Sequence, residues 1–160
     1  MQIEHYLKNQ PHFIGVYASN TLPHNPPVGS SLIVNYSDSN SGGSHWVAMR
    51  NLNTSNVEFF DSYGFDADQD DLILSVHTKF KDYLKKHSKN KNYKVNRINF
   101  QCSTSDVCGE YATKFIKDGL PELVKNGRVV VNPKWKQYVL KSDKCAIADR
   151  WIRHEIKLRR

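Results

Sequence analysis

Apolar positions along the chain recur with two periods, and the change from one to the other outlines the fold before any chemistry enters. Residues 12–17 (HFIGVY) and 31–36 (SLIVNY) are β-branched and aromatic runs separated by the turn-rich TLPHNPPVGS, which predicts two strands joined by a long loop. Residues 45–50 alternate, with Trp46, Ala48 and Arg50 against Val47 and Met49, and residues 57–61 form a second short run. The intervening NLNTSN supplies a turn, so the two read as a β-hairpin. His45 opens its first arm and Asp61 closes its second, and an antiparallel pairing lays those two ends side by side.

The period then changes. Between residues 70 and 87, Leu72, Ile73, Val76, Phe80, Tyr83 and Leu84 fall at three-and-four spacing, acidic at the start and basic at the end, which predicts an amphipathic helix. Residues 93–100 read as a strand and residues 101–107 as a polar loop. A helix over 108–118 follows, with Tyr111, Ala112, Phe115 and Ile116 on one face, Gly119 as its left-handed stop and Pro121 preventing continuation. A final helix over 146–158 carries Ile147, Ala148, Trp151, Ile152 and Ile156 as its buried stripe. The sum is α+β: a mixed central sheet packed with helices, with Cys108 in the first turn of a central one. With 160 residues and no repeat or low-complexity boundary, one domain over 1–160 is expected.

Charge and cysteine content narrow the setting. The formal net charge is +7, yet residues 58–71 hold six acids and no lysine or arginine, whereas residues 79–97 and 114–160 are strongly basic. That asymmetry points to a polyanion partner, with a solvated lysine-rich surface as the alternative. The first ten residues lack a basic region followed by an apolar core, and no run approaches the roughly 20 apolar residues of a membrane span, so a soluble, non-secreted protein without membrane partners is expected. Cys102, Cys108 and Cys145 cannot all pair within one chain, and their spacing matches neither a disulfide framework nor a zinc knuckle. Inert buried thiols are the expectation for Cys102 and Cys145, and a reducing, intracellular setting fits.

Cys108 stands apart from the other two. A thiolate is the reactive form of cysteine, and a helix N-terminus or a nearby imidazolium favours it. Gly109, next in the chain, allows an acyl group close to the backbone, and the N–H at a helix start can meet a developing oxyanion. A structural buried cysteine is the alternative. Of seven histidines, His45 differs in following two glycines and a serine and preceding Trp46, which puts a titratable ring at a strand start beside a bulky wall.

In that order, GGSHWVAMRN, VEFFDSYGF and NFQCSTSDVCGEYATKF resemble the active-site segments of the adenovirus maturation protease family. They are similar also to the SUMO-deconjugating proteases, in which His-Trp, Asp-Ser and a Gln ahead of Cys-Gly recur. The likeness extends over residues 11–115. It implies a papain-like-clan, adenain-like fold in which Cys108 attacks a peptide carbonyl, His45 moves the proton, Asp61 orients the imidazole and Gln101 donates to the oxyanion. It implies further that Trp46, Gly43 and Gly109 line a narrow substrate channel admitting glycine. The chemistry then requires no metal or organic cofactor, and DNA and an activating peptide are the candidate cofactors.

Two departures stand out. Asp61 occupies a position where the adenovirus enzyme has Glu, and no cysteine lies between Asp61 and Gln101 to tether an activating peptide. The resemblance implies a monomeric maturation protease of a small adenovirus-like virus or virophage, acting on capsid or core precursors inside an infected cell or virion and binding DNA through its basic segments. A ubiquitin-like-protein deconjugase or acyltransferase effector on the same site, and a catalytically dead DNA-binding structural protein, are the other readings.

Overall fold

The computed structural model describes residues 2–35, 45–64, 83, 86, 92–103 and 105–158. A short helix, α1 (Gln2–Tyr6), leads into β1 (Phe13–Ala18), β2 (Ser31–Asn35), β3 (Trp46–Arg50), β4 (Asn56–Phe60) and β5 (Asn92–Val95). These form one sheet in chain order. The outer pairs, β1 with β2 and β4 with β5, run parallel, while β3 is antiparallel to both β2 and β4. The fold is therefore mixed α+β, and the expected hairpin is β3–β4, with Ala48 opposite Phe60 and Arg50 opposite Glu58. The last pair is closed by charge, Arg50 Nη2 lying 2.7 Å from Glu58 Oε1.

Both faces of the sheet are buried, which is why β2 is apolar without alternation. Ile33, Ala48 and Phe60 point to one side, into a core shared with the helix α2 (Cys108–Asp118). Leu32, Val34, Val47, Met49, Val57 and Phe59 point to the other, where Ile14, Tyr17, Leu22, Tyr83 and Val95 pack against them. The helix predicted over 70–87 lies, apart from Tyr83 and Lys86, outside the described residues, as does Gly43.

The strand expected over 93–100 ends at Val95. Beyond it the chain leaves the ladder to cross residues 61–64, where Phe100 N–H donates to the Ser62 carbonyl. The crossing is so close that a Cβ on Gly64 would overlap the carbonyl oxygen of Arg97, and Gly64 has φ +78°, so glycine is required there twice over.

α2 has the predicted bounds and stops at Gly119, whose φ of 83° suits only glycine and whose N–H closes on the Phe115 carbonyl. After it come elements that the sequence reading did not place: a hairpin of β6 (Glu122–Lys125) and β7 (Arg128–Val131), a 3₁₀ turn (Pro133–Trp135) and α3 (Lys136–Leu140). The hairpin turns on Asn126 and Gly127, both at positive φ, the Asn-Gly signal of a two-residue turn. Asn132 caps the 3₁₀ turn by accepting from Lys134 N–H, and its amide donates to the carbonyls of Asp118 and Leu120 at the end of α2.

That turn delivers Trp135 into the core, where its ring meets Phe60, Phe100, Tyr111 and Tyr138 at centroid distances of 5.3 to 6.4 Å. α4 (Cys145–Glu155) is the last helix among the described residues. Ala148, Ile152 and Ile156 are buried as expected, Ile147 and Trp151 are half-buried, and the acid Asp149 is buried among them.

The expectation of three unpaired cysteines is overturned. Cys102 and Cys145, 43 residues apart, form a disulfide with their Cα atoms 5.1 Å apart, and Cys108 alone is free. Three cysteines exclude only complete pairing, and it is tertiary packing of the 101–107 loop against the start of α4 that joins these two. The inference of a reducing setting from unpaired cysteines loses its premise.

Because Trp135 is fully buried at the centre of the aromatic cluster, Trp135→Ala is expected to cost about 3–5 kcal/mol. Urea unfolding measures it, and a loss below about 1 kcal/mol would show that the cluster does not hold the tail to the sheet.

Candidate active site

The site is assembled at the open end of the β3–β4 hairpin, where α2 begins. Asp61, one residue past β4, is buried, so its carboxylate must find donors. It finds His45 Nε2 at 2.8 Å and the Tyr63 N–H at 2.9 Å, both on Oδ1. Its own peptide group is held by Asn96, whose Oδ1 accepts from Asp61 N–H while its Nδ2 donates to the Asp61 carbonyl. Asn96 is the residue at which the chain leaves β5, so the end of that strand is spent on fixing the acid.

His45 precedes β3, and Cys108 lies near enough to its ring to act on its titration. Burial would lower the pKa of this ring, but the hydrogen bonds and negative charges of Asp61 and Cys108 outweigh it and push it up to about 9. The imidazolium therefore persists through neutral pH, between one carboxylate and one sulfur.

The ring stacked on His45 belongs to Tyr63, at a centroid distance of 4.8 Å and an interplanar angle of 28°. Extending the hairpin register past Ala48 and Phe60 sets His45 opposite Tyr63, so this neighbour follows from the pairing that the sequence predicts, although it was not singled out there. Burial first, and then the charges of Cys108 and Asp61, hold its phenol above the usual range and keep it neutral. Trp46 is half-buried and packs against the helix-side core. A Cβ on Gly109 would sit 3.2 Å from Ile3 and 3.7 Å from Trp46. The missing side chain thus lets α1 and Trp46 approach the nucleophile.

Gln101 is buried beside the acid and ahead of the nucleophile. Its Oε1 accepts a short hydrogen bond from Ser62 Oγ, and its Nε2 donates to the Ser105 carbonyl at 3.0 Å. An amide has two N–H donors. Ser62 therefore fixes which end of the amide is the donor, and one of its two hydrogens is committed to the loop. The helix start leaves the Cys108 N–H without an intrahelical acceptor. Four expected residues, His45, Asp61, Gln101 and Cys108, are thus brought into one region, supported by Ser62 of the Asp-Ser pair, by Tyr63 beside it and by Asn96. Among the described residues, no group of three His, Cys, Asp or Glu side chains could hold a metal ion, and no helix is long and apolar enough to cross a membrane.

The sequence profile of the adenovirus endoprotease family matches residues 13–121, a stretch holding all four of these residues. The chain belongs to that family. No curated protein matches the sequence. Among solved structures, the adenovirus endoprotease-like chain is similar to AvrA with IP6 and CoA, at 16% identity and a TM-score of 0.49, covering 72% of this chain and 46% of that one. The chain thus spans about half the length of AvrA. It is similar also to the central domain of the uncharacterized Lpg1148 protein from Legionella pneumophila, at 16% identity and a TM-score of 0.41, covering 98% of this chain and 93% of that one.

A folded-state pKa above the ordinary 6.5 means that His45 stabilises the fold fully below about pH 6.5 and loses that contribution as pH rises through about 9. NMR titration of His45 is expected to show a midpoint near 9, lowered by Asp61→Asn and by Cys108→Ser. A native midpoint at or below 6.5 would mean that the ring does not share charge with these partners.

Proposed function

We propose that the chain is a cysteine endopeptidase that hydrolyses peptide bonds in protein substrates through a thioester. The observation that carries this is the imidazole hydrogen-bonded to a buried carboxylate and lying near the only free thiol, whose presence helps raise its pKa. In the first half-reaction the Cys108 sulfur attacks the carbonyl carbon, and its electron pair moves to the oxygen, stabilised by the Cys108 N–H and the uncommitted hydrogen of the Gln101 amide. Collapse expels the amine, which takes the proton carried by His45. In the second, neutral His45 removes a proton from water as the hydroxyl attacks the thioester. The acid product leaves and the sulfur recovers its charge. Asp61 keeps the ring in the tautomer and orientation that both steps use.

The substrates are capsid or core precursors of a small adenovirus-like virus or virophage, cut after glycine within an infected cell or a virion by a monomeric enzyme. Family membership and the Trp46 wall beside Gly109 support this specificity. The basic excess supports DNA as a partner, held through phosphate contacts.

Cys108→Ala and His45→Ala are expected to abolish turnover of a glycine-containing peptide, and Gln101→Ala to lower kcat by about 10²-fold or more. Mass spectrometry of quenched reactions should show the acyl adduct on Cys108, resolving to the free acid in water. Adduct resolution only by added amines would make the protein an acyltransferase, and absence of any adduct would sink the enzymatic reading.

DNA affinity should fall linearly on a log scale with salt. A fluorescence anisotropy titration in which affinity does not change between low and physiological salt removes DNA as a partner.

A further inference from the structure

The stretch matched by the family ends at residue 121, yet the loop that carries Gln101 is held from beyond it, by α4. Three side chains of that helix make the attachment. Cys145 is bonded to Cys102, the residue next to Gln101. Asp149 accepts the backbone N–H of the same Cys102 on Oδ2, at 3.2 Å, and accepts the Tyr111 hydroxyl on Oδ1. Arg153 reaches Asp106 at 3.1 Å. Positions 145, 149 and 153 are spaced by four and so lie along one side of a helix. They grip the loop at two points, one beside the oxyanion donor and the other two residues before the nucleophile.

The three contacts differ in strength. The Arg153 pair is exposed and contributes little by itself. Asp149 is buried, and through Tyr111 it ties the loop to the helix that bears Cys108, one turn beyond the thiol. The disulfide is the one rung that can be opened and closed. A loop that must present a single amide hydrogen to an oxyanion is sensitive to small displacements, since such donors act at about 2.7–3.1 Å from the oxyanion.

We propose that this stripe of α4 positions the oxyanion loop, with Asp149 as a positioning residue, and that the Cys102–Cys145 disulfide is a redox switch on acyl transfer by Cys108. The proposal rests on the peptidase reading for its catalytic consequence. Opening the bond consumes two electrons and two protons from a dithiol, which becomes its own cyclic disulfide while Cys102 and Cys145 become thiols. Closing it returns them to a disulfide oxidant such as oxidised glutathione. The closed form is the aligned one.

Two probes separate alignment of the loop from activation of the thiol. Iodoacetamide alkylates a thiolate by displacement and builds no oxyanion, whereas a peptide aldehyde forms a tetrahedral adduct that needs one. Oxidised protein, dithiol-treated protein, Cys145→Ser and Asp149→Asn would each be measured with both, and with hydrogen exchange over residues 101–107. Peptide mass would read alkylation at Cys108 and confirm that Asp149→Asn still forms the disulfide.

The expected result is aldehyde affinity and kcat about tenfold or more lower in the three altered forms, with KM and the alkylation rate changed less than about twofold. Exchange over 101–107 should be faster by about tenfold. Unchanged exchange on opening the disulfide overturns the proposal whatever Cys108 does. Faster exchange with unaltered aldehyde affinity overturns it too, leaving the bond a purely structural tie. Faster exchange in a protein whose Cys108 reacts no faster than an exposed thiol, and is indifferent to His45→Ala, overturns the catalytic role and traces the failure to the proposed function rather than to the clamp.

Discussion

Asp61 is a buried carboxylate, and the cost of removing it from water organises everything around it. Its charge can be kept only if donors converge on it, and the hairpin supplies two, the ring of His45 from the opposite arm and the N–H of Tyr63 from the following turn. The ring would not be in place if the strand register slipped by one residue, because every side chain would change face. Asn96 then takes both hydrogen-bonding groups of the Asp61 backbone. One buried charge thus fixes the end of β4, the end of β5, the protonation of an imidazole and the path of the chain toward Gln101.

The nucleophile is held by a different means. α2 is buried along nearly its whole length, so its polar residues need partners inside the protein. Lys114 shows how. Its ammonium sits between Asp118 and Glu155, 2.9 and 2.6 Å away, and over the rings of Trp135 and Tyr138. Tyr138 donates in turn to the other oxygen of Glu155. These contacts fasten the nucleophile helix to α3 and α4, and the tail beyond residue 121 therefore belongs to the same mechanical unit as the thiol. A helix so enclosed can hold Cys108 against His45 without help from a flexible loop.

How much of this was legible in the sequence depended on the range of the interaction. The β3–β4 hairpin, the limits of α2 and the convergence of His45, Asp61 and Cys108 were readable because each follows from local periodicity, from a turn signal or from an ordered motif. The Asn126-Gly127 hairpin is equally local, its turn signal lying in the two residues themselves. Tyr63 was one step away, since the register that joins His45 to Asp61 also places it. Asn96 and Asp149 were not legible, nor was the partner of Ser62 within its Asp-Ser pair, because each matters through a residue 35 or more positions distant. The Cys102–Cys145 bond belongs with them: 43 residues separate the two, and no spacing rule predicts which thiols a tertiary contact will bring together.

A reactive thiol and a disulfide six residues apart in one chain impose conflicting demands, because reductant strong enough to protect the first can open the second. The structure separates the two in space and in environment. Cys108 is buried at the helix start, which limits the access of small oxidants and stray disulfides to it. Cys102 lies in the preceding loop and is only partly buried, as is Cys145 at the head of α4. Exchange therefore begins more readily at the tie than at Cys108.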